Sequence, residues 1–363
     1  MVKIAVLGGG HGALTIAADM TLYGHRVTLF EMKEYFHQIK EIAETKKIKI
    51  SGFARQGTAN LHKVTSDIKD AIKDVDIILI VVPSFVHKKY AEMLAPCLKD
   101  GDNIVLIPGT FGSLEFNAVL KKNGCNKKVT ISETDTLPYA TRRKGTVEVN
   151  VFHNLKFILV GTFPSKETDK VFSIMQKLYP SKKAKNVIEV GLSNVNPTLH
   201  PIGVLMNVGR IEYSKGNFYY YEEGFTHSVA SAIEAVDEER IALGKALGLS
   251  LTVLADSLND VGYGPKGTLW ETINGSAGLT PIIGPVVVTN RYLTEDVPIG
   301  LTMWSSLGRL MKVNTPVIDG VISICSTFLP KEYFKVTRDV KSCGIDKMSK
   351  KEIIDFVTNG NKK

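Results

Sequence analysis

Three side chains suited to acid–base and substrate-binding chemistry lie in the second half of this 363-residue chain. His200 lies in the segment Asn-Pro-Thr-Leu-His-Pro, and Arg291 and Asp296 lie close together in a later segment. Hydride transfer to a C=O or C=N bond needs a proton donor, and histidine is the usual one because its pKa lies near neutrality. A carboxylate can fix the tautomer of the histidine. An arginine can hold the carboxylate of a 2-oxo acid through two hydrogen bonds.

Residue type alone does not single out this set. The chain has eight histidines, and a histidine beside a proline, such as His200, is more often structural than catalytic. Arg291 and Asp296 could also form a surface ion pair, which contributes little to stability. At this level both the catalytic and the structural interpretation stay open.

A glycine-rich turn near the N-terminus has the pattern that binds the pyrophosphate of a dinucleotide. Its sequence, GGGHGA, fits G-x-G-x-x-G/A with Gly8, Gly10 and Ala13 at the three key positions. The first position permits the tight turn, the second lets the backbone approach the phosphates, and the third allows close packing of helix and strand. The helix that follows would direct N–H groups and its positive end towards the phosphates.

Residues after later strands are expected to complete this cofactor site. Glu31 follows the second strand, where an acid can accept a hydrogen bond from the adenosine ribose of NAD, whereas Lys33 could meet the 2′-phosphate of NADP. We predict NAD, with NADP as the alternative. Pro83-Ser84 and Pro108-Gly109 follow two further strands, at the edge where open parallel sheets bind ligands. The predicted cofactor-binding residues are Gly8, Gly10, His11, Gly12, Ala13, Glu31, Pro83, Ser84, Pro108 and Gly109.

Alternating strands and helices in the first half must position these residues. Apolar runs that predict strands lie at residues 3–7, 26–30, 76–82, 103–107, 129–132, 156–160 and 187–190. The alternation predicts a parallel, doubly wound sheet. Beyond residue 191 the apolar spacing is mostly helical, most clearly at 225–247. We therefore predict an α/β fold with an N-terminal Rossmann domain at 1–190, followed by a mostly α-helical catalytic domain at 191–363.

Charged side chains are dense on the predicted helix at 225–247 and just before it. We interpret most of them as a solvated face, although some could contact a cationic amino donor. They are Glu222, Glu223, Glu234, Asp237, Glu238, Glu239 and Arg240.

Composition excludes several classes of protein. The net charge is +8, which can attract nucleic acid but equally a dinucleotide or small carboxylates. The lysines are scattered, and neither a zinc finger nor an RNA-binding aromatic motif is present, so we expect no nucleic-acid partner. No apolar run is long enough to span a bilayer and the N-terminus does not resemble a signal peptide, so we expect a cytoplasmic protein with no membrane partner. The four cysteines lie far apart without a CxxC pair, which predicts reduced thiols and no metal site.

Longer segments of the chain resemble the opine dehydrogenase family, whose members include octopine and nopaline dehydrogenases. The resemblance covers nearly the whole chain, and NPTLHP together with RYLTEDVP is far more specific than the glycine turn. The matching segments are GGGHGA, SETDTLPYATR, NPTLHP, FYYYEEGFTHSVASAIEAVDEER, RYLTEDVP and TPVIDGVI. His11 departs from the pattern, since many relatives have asparagine at this position, and this puts the cofactor preference in doubt.

The resemblance implies a reaction and a role for each residue. Members condense an amino acid with a 2-oxo acid, typically pyruvate, and reduce the imine with NAD(P)H. Carried over by motif, His200 is the general acid/base, Asp296 is its partner, and Arg291 binds a substrate carboxylate. Both substrates are small molecules, and the sequence leaves monomer and homodimer open. The predicted substrate-binding residues are Arg291, Asn207, Tyr139 and Thr134.

Two other functions remain as alternatives. One is a keto-acid or hydroxy-acid dehydrogenase of the same two-domain build, similar to ketopantoate reductase or glycerol-3-phosphate dehydrogenase. Such enzymes usually carry a catalytic lysine on a helix after the sheet, and no lysine here lies in a comparable motif. The other is a non-catalytic NAD(P) sensor, which would not need His200, Arg291 and Asp296 together. The sequence does not identify the amino donor.

Overall fold

A computed structural model describes residues 1–360 of the chain. Contacts divide the chain into two compact units. The first is Met1–Val190 with the C-terminal segment that begins at Phe356, and the second is Gly191–Asp355. Phe356 packs on Phe163 with 5.0 Å between the ring centroids, which ties the C-terminal segment to the first unit.

The first unit is built on two β-sheets. Its strands are β1 (Lys3–Leu7), β2 (Arg26–Phe30), β3 (Lys47–Gly52), β4 (Gly57–Asn60), β5 (Lys63–Thr65), β6 (Ile77–Ile80), β7 (Asn103–Leu106), β8 (Thr130–Thr134), β9 (Tyr139–Arg143), β10 (Glu148–Asn154), β11 (Ile158–Phe163) and β12 (Ser181–Lys183). The larger sheet has eight strands in the order β12-β11-β8-β7-β6-β1-β2-β5, and only the β11–β8 pair is antiparallel. The smaller sheet has the order β4-β3-β10-β9.

Helices follow or precede most of these strands and make up most of the second unit. They are α1 (His11–Leu22), α2 (Lys40–Thr45), α3 (Ile68–Ala71), α4 (His87–Leu94), α5 (Gly112–Lys122), α6 (Thr168–Met175), α7 (Val187–Ser193), α8 (Asn196–Leu205), α9 (Val208–Ser214), α10 (His227–Leu247), α11 (Leu254–Val261), α12 (Leu269–Asn274), α13 (Arg291–Thr294), α14 (Thr302–Met311), α15 (Pro316–Phe328) and α16 (Lys350–Asn359). The predicted fold class, a Rossmann sheet followed by a mostly helical part, is confirmed.

The centre of the large sheet is apolar on both faces. Strands β1, β6 and β7 are buried almost throughout, because helices α4 and α5 cover one face with Tyr90, Leu94 and Phe116. On the other side, α1 packs against β1 and β2 and also against strands of the smaller sheet. Near-continuous apolar runs are typical of parallel strands covered on both faces, which explains the unbroken apolar sequence of β6.

Helix α1 carries a buried carboxylate, Asp19, that connects it to β9 and to the loop between β3 and β4. Asp19 accepts a hydrogen bond from the Tyr139 hydroxyl and one from Arg55 Nη1 at 3.0 Å. The guanidinium of Arg55 in turn lies over the ring of Tyr23, 3.7 Å from its centroid. Tyr139 is buried and its hydroxyl holds α1 through Asp19, which favours a structural role for this side chain over the predicted substrate-binding role.

The segment at 187–190 is the first turn of α7, not a strand. Its side chains are mostly buried, and a short apolar run does not distinguish a buried strand from a buried helix. The residue before this segment, Asn186, is the sequence feature that indicates the start of a helix. Asn186 Oδ1 accepts hydrogen bonds from the backbone N–H groups of Ile188 and Glu189 at 3.0 and 3.2 Å, which is how an asparagine begins a helix.

Helix α10 is the longest helix of the second unit, and α8, α14 and α15 pack against it. The apolar spacing predicted its buried face correctly, since Val229, Ile233, Val236, Leu243 and Leu247 are all buried. The helix ends at Gly248, which has a φ of 78°. A glycine reaches this left-handed conformation without the steric penalty of a Cβ.

Asp135→Asn is expected to increase the free energy of unfolding above pH 7 by about 1–2 kcal/mol and to have little effect near pH 4. Burial raises the pKa of Asp135, directly after β8, to about 7. The folded state therefore holds its proton more tightly than the unfolded state, and the resulting stabilisation is lost as the pH rises through 7. Asparagine cannot ionise, yet it retains an acceptor for the Leu159 N–H, now 2.9 Å from Oδ1.

Urea denaturation of both proteins at pH 4.5 and pH 8 measures this effect. A stability difference that is the same at the two pH values would contradict it. Asp169→Asn, at an exposed carboxylate of the same unit, is a matched control.

Candidate functional site

The glycine turn joins the ends of two strands. Gly8 has a φ of 123° and donates its N–H to Phe30 O at 2.8 Å. A Cβ at this position would lie 2.6 Å from the Val81 carbonyl oxygen. Both the left-handed conformation and the close approach to the backbone therefore require glycine here.

The next positions of the turn differ in what surrounds them. A Cβ on Gly10 would meet nothing within 4 Å, whereas one on Gly12 would lie 2.9 Å from Leu137 Cδ2. Gly10 immediately precedes α1, whose first turn contains no acidic residue. The positive end of the helix thus lies beside an open backbone surface, which suits an anionic group. Ala13 is buried, as its predicted packing role requires.

His11 is held by the smaller sheet. Its Nδ1 accepts the backbone N–H of Arg143, at the end of β9, at 2.7 Å. This bond needs the lone pair of Nδ1, so it favours the tautomer with the proton on Nε2. His11 therefore fastens the start of α1 to β9, a connection that its place in the sequence motif did not indicate.

Glu31 lies against the second glycine of the turn. Its Oε1 accepts the Met32 N–H at 2.7 Å, and its Oε2 would lie 2.6 Å from a Cβ on Gly9. Burial raises the pKa of Glu31, while hydrogen bonds from the Met32 and Gly9 backbone oppose the rise. The small size of Gly9 thus lets the carboxylate settle over the turn. Sequence reasoning gave Gly9 no role, because the motif leaves this position unspecified.

Gly9→Ala is expected to raise the KM for NADH about tenfold. The new methyl group would push the Glu31 carboxylate off the turn, so that it no longer accepts the hydrogen bond expected from the adenosine ribose of the cofactor. Loss of a hydrogen bond to a charged group costs about 1.5–3 kcal/mol. Initial-rate kinetics with NADH and NADPH would measure the effect. Gly145→Ala, at a glycine of the same unit whose Cβ direction is open and which has no proposed contact with the cofactor, controls for a general effect of added bulk. Unchanged KM values for Gly9→Ala would contradict the interpretation.

Two of the predicted residues after the central strands, Ser84 and Gly109, lie in closely packed surroundings. Ser84 is buried and begins a short 3-10 turn after Pro83. Gly109, after Pro108, is packed so tightly on Glu133 that a Cβ would lie 1.9 Å from Oε2. Glu133 Oε1 also accepts the Ser113 hydroxyl at 2.9 Å. The buried carboxylate therefore determines why residue 109 is glycine.

Thr134 and Asn207, two predicted substrate-binding residues, bond to the backbone. The Thr134 hydroxyl donates to Thr136 O at 2.8 Å. The Asn207 amide donates to Gly203 O at 2.8 Å and to Gly224 O at 2.9 Å, so both of its N–H groups are used. Asn207 thereby connects the end of α8 to the segment that leads into α10. These contacts favour structural roles for both side chains.

His200 and Asp296 are brought together within the second unit. His200 Nδ1 lies 2.8 Å from Asp296 Oδ2, and the two side chains are only 11% and 12% exposed. Burial raises the pKa of Asp296, and the hydrogen bond and charge of His200 oppose this rise. With its proton on Nδ1 directed at the carboxylate, the imidazole has Nε2 left for exchange with a reacting group.

A π-helix positions Asp296 against α8. It spans Asp296–Leu301, and π-helical turns occur often at functional sites. Gly300 packs directly on the ring of Pro197, since a Cβ there would lie 2.3 Å from Pro197 Cγ. Pro197 lies in the first turn of α8, where the missing N–H of proline costs no hydrogen bond. This contact sets the distance between the elements that carry His200 and Asp296.

Aromatic side chains enclose the histidine. The ring of Tyr292 stacks on His200 with 3.8 Å between centroids and 16° between planes. Tyr220 packs behind Tyr292, and its hydroxyl lies 3.4 Å from the backbone oxygen of His200. Burial raises the pKa of Tyr220, so it stays uncharged. The sequence contained no signal for this stack beyond the presence of Tyr292 in the RYLTEDVP segment.

Arg291 begins the short helix α13, one residue before the stacked tyrosine. Asn290 caps this helix by accepting the Tyr292 N–H at 2.9 Å. The Arg291 side chain is 60% exposed, and its Nε donates to Glu295 Oε2 at 2.7 Å. The ion-pair partner of Arg291 is therefore Glu295, while Asp296, the partner considered from the sequence, binds His200.

Other expected features concern metal, thiols and membranes. The four cysteines are free thiols. Among residues 1–360, no cluster of three or more histidine, cysteine, aspartate or glutamate side chains is suited to hold a metal ion. Within the same range, no helix has both the length and the apolar character that crossing a membrane requires.

Comparison with known proteins gives consistent matches along the chain. Residues 183–329 match the family model of the α-helical domain of NAD/NADP octopine/nopaline dehydrogenase. Residues 3–114 match the N-terminus of NAD-dependent glycerol-3-phosphate dehydrogenase.

Full-length relatives and solved structures agree with these models. The chain is 36% identical to an opine dehydrogenase of Arthrobacter sp. over 94% of each protein. It is 25% identical to a vitopine synthase of Allorhizobium ampelinum over 99% of this chain and 100% of that protein. A solved octopine dehydrogenase with NADH and L-arginine has a similar fold, with a TM-score of 0.76 at 20% identity over 100% of this chain and 99% of that one. On the sequence matches, this chain belongs to the opine dehydrogenase family.

Proposed function

We propose that the chain condenses an amino acid with a 2-oxo acid such as pyruvate and that His200, Asp296 and Arg291 carry out the chemistry. Membership of the family makes the chain an NAD(P)-dependent oxidoreductase that acts on CH–NH bonds. We propose that the reaction is reversible. The observation that most supports these residue roles is the 2.8 Å contact between His200 and Asp296, because a carboxylate that holds Nδ1 leaves Nε2 for proton transfer.

The first unit fits the cofactor at the glycine turn. Gly10 offers open backbone beside the positive end of α1, and Glu31 lies over the same turn. NAD(P)H, when bound, supplies the hydride that reduces the C=N bond. We propose NAD as the preferred form, because a buried carboxylate at the end of β2 would repel the 2′-phosphate of NADP.

Arg291 would bind the carboxylate of the 2-oxo acid. Its side chain is mostly exposed, and Glu295 occupies only Nε. The planar guanidinium can then offer two parallel N–H donors to a carboxylate, which fixes both the position and the orientation of the keto group.

His200 would move the protons of the condensation. Its Nε2 takes a proton from the ammonium group of the amino acid, so that the nitrogen can attack the keto carbon. The same proton returns to the hydroxyl of the resulting carbinolamine, which leaves as water and forms the protonated C=N bond. Asp296 stabilises the imidazolium between these two transfers. The enclosing tyrosines exclude water from the side of the ring that Tyr292 covers.

We also propose that the protein acts in the cytoplasm as a monomer or homodimer. Free NAD(P)H, amino acids and 2-oxo acids are all present there. Size-exclusion chromatography with light scattering would distinguish the two oligomeric states.

The first test is oxidation of NADH and NADPH by the purified protein with pyruvate, alone and with each amino acid. Oxidation that requires both substrates would support the condensation and identify the donor and the cofactor. Oxidation with pyruvate alone would instead indicate a keto-acid reductase. Cofactor binding without turnover on any pair of substrates, with other 2-oxo acids included, would indicate a sensor.

A further inference from the structure

Two consecutive carboxylates in the second unit each hold a different basic group. Asp296 contacts His200 Nδ1 at 2.8 Å, and Glu295 contacts Arg291 Nε at 2.7 Å. The Glu295 side chain is 7% exposed, whereas that of Arg291 is 60% exposed. The buried partner is therefore the carboxylate, and the arginine extends from it towards the surface of the unit.

The Arg291 nitrogen that donates to Glu295 determines which edge of the guanidinium remains available to bind another carboxylate. A guanidinium has five N–H donors and can meet a carboxylate through the side edge, which includes Nε, or through the terminal edge formed by Nη1 and Nη2. Glu295 occupies Nε, so the side edge is taken. The terminal edge is the part that stays available for a second carboxylate.

The same short helix also carries the ring that stacks on the histidine. Tyr292 follows Arg291 directly, and its ring lies 3.8 Å from that of His200. If Arg291 holds the 2-oxo acid, a rotation of its side chain would alter the distance between the keto carbon of that acid and the imidazole of His200. Glu295 restricts that rotation, because it holds the guanidinium by the nitrogen nearest the chain.

We propose that Glu295 is a positioning residue that directs the terminal edge of Arg291 to the carboxylate of the 2-oxo acid. The proposal rests on the proposed function for the role of Arg291. Beyond it, the proposal assigns a residue outside the catalytic set and specifies that the substrate carboxylate is bound end-on by Nη1 and Nη2.

Kinetics of Glu295→Ala, Glu295→Gln, Arg291→Ala and the Glu295→Ala/Arg291→Ala double variant test the proposal. For Glu295→Ala we expect the KM of the 2-oxo acid to rise about tenfold, with kcat reduced less and the KM of NADH unchanged. Glutamine retains an oxygen that accepts the Nε–H, so Glu295→Gln is expected to restore most of the affinity. In the Arg291→Ala background, loss of Glu295 is expected to add less than about twofold.

Glu44→Ala controls for the loss of an ion pair of the same spacing. Glu44 forms an ion pair with Lys40 at the same i,i+4 spacing, 3.9 Å apart and highly exposed, in the first unit. Its removal is expected to leave all kinetic constants unchanged. An equal rise in the KM values of NADH and of the 2-oxo acid for Glu295→Ala, without rescue by glutamine, would indicate a structural role and overturn the proposal.

A binding measurement separates this proposal from the proposed function. Calorimetric titration of pyruvate into the protein with NAD⁺ needs no turnover, and the same order of affinities is expected: wild type, then Glu295→Gln, then Glu295→Ala. If no substrate pair is turned over but this order holds, the condensation is wrong and the positioning role stands. If turnover occurs and Arg291→Ala weakens pyruvate while Glu295→Ala does not, the positioning role is wrong.

Discussion

Replacement of His200 by alanine is expected to lower kcat/KM for the condensation about a thousandfold. Alanine removes the group that carries the proton between the amino nitrogen and the departing hydroxyl. The substrate-carboxylate and cofactor contacts proposed above do not involve this side chain, so the KM of NADH is expected to change little. Stopped-flow or steady-state rates of NADH oxidation at saturating amino acid measure the effect.

Asp296→Asn is expected to lower kcat by a factor of about a hundred or more. An asparagine amide can donate to Nδ1 and thereby stabilise the wrong tautomer, in which Nε2 carries the proton and cannot accept one. The lost charge also removes the stabilisation of the imidazolium. Because asparagine has nearly the same shape as aspartate, folding is expected to be preserved, which circular dichroism would verify.

Turnover of His200→Ala within tenfold of the wild type, with the fold intact, would exclude His200 as the acid/base. His227→Ala provides a control at another histidine of the second unit, which stacks on Trp270 at 4.2 Å and has no proposed part in the reaction. It is expected to retain full activity.

Arg240→Met is expected to lower the free energy of unfolding by about 3–5 kcal/mol. Arg240 is buried in the second unit and bonds to Asp237 Oδ1 at 2.7 Å. Its two terminal nitrogens donate to Leu192 O at 2.9 Å and to Thr252 O at 2.6 Å. Methionine fills much of the space but leaves the Asp237 carboxylate buried without its cation, and a buried unpaired charge is strongly destabilising.

Two variants show whether the unpaired charge causes the loss. Asp237→Asn/Arg240→Met removes the charge, while an asparagine oxygen can still accept the Leu254 N–H that now bonds to Asp237. We expect the double variant to be more stable than Arg240→Met alone. Glu238→Ala, at an exposed position of the same helix, is expected to change stability by less than about 0.5 kcal/mol. A double variant no more stable than Arg240→Met would contradict this explanation, and thermal and urea unfolding measure both.

The charges of α10 show how far a local pattern extends. The apolar stripe of this helix was predicted correctly, and interpreting most of the charges as a solvated face suits Glu234 and Glu238, which are exposed. Asp237 and Arg240 do not belong to that face, since both are buried. Glu239 is half-buried, and its carboxylate accepts the Val317 and Ile318 N–H groups at the start of α15. Each of these roles depends on a partner from another element, and helical periodicity carries no information about such partners.

The smaller sheet depends on contacts between residues that are far apart in the sequence. The sequence predicted none of its four strands, because none of them is a continuous apolar run, and buried residues are interspersed with exposed or half-buried ones. Strand β3 pairs in parallel with β10, and Lys49 lies opposite Glu148. Pairing across so many residues depends on closing a long loop and on packing against α1, neither of which is visible in a local window.

By itself, the sequence determined the glycine turn, the apolar strands of the large sheet and the buried stripe of α10, and its long family motifs selected His200, Arg291 and Asp296 as candidates. These features depend on periodicity and on residue types at fixed spacing, which are local properties of the chain. The tertiary structure decided that Arg291 pairs with Glu295, that Tyr292 stacks on His200, and that Glu31 settles over Gly9. In each case the partner is identified by burial or by a contact distance, and these depend on how the whole chain folds.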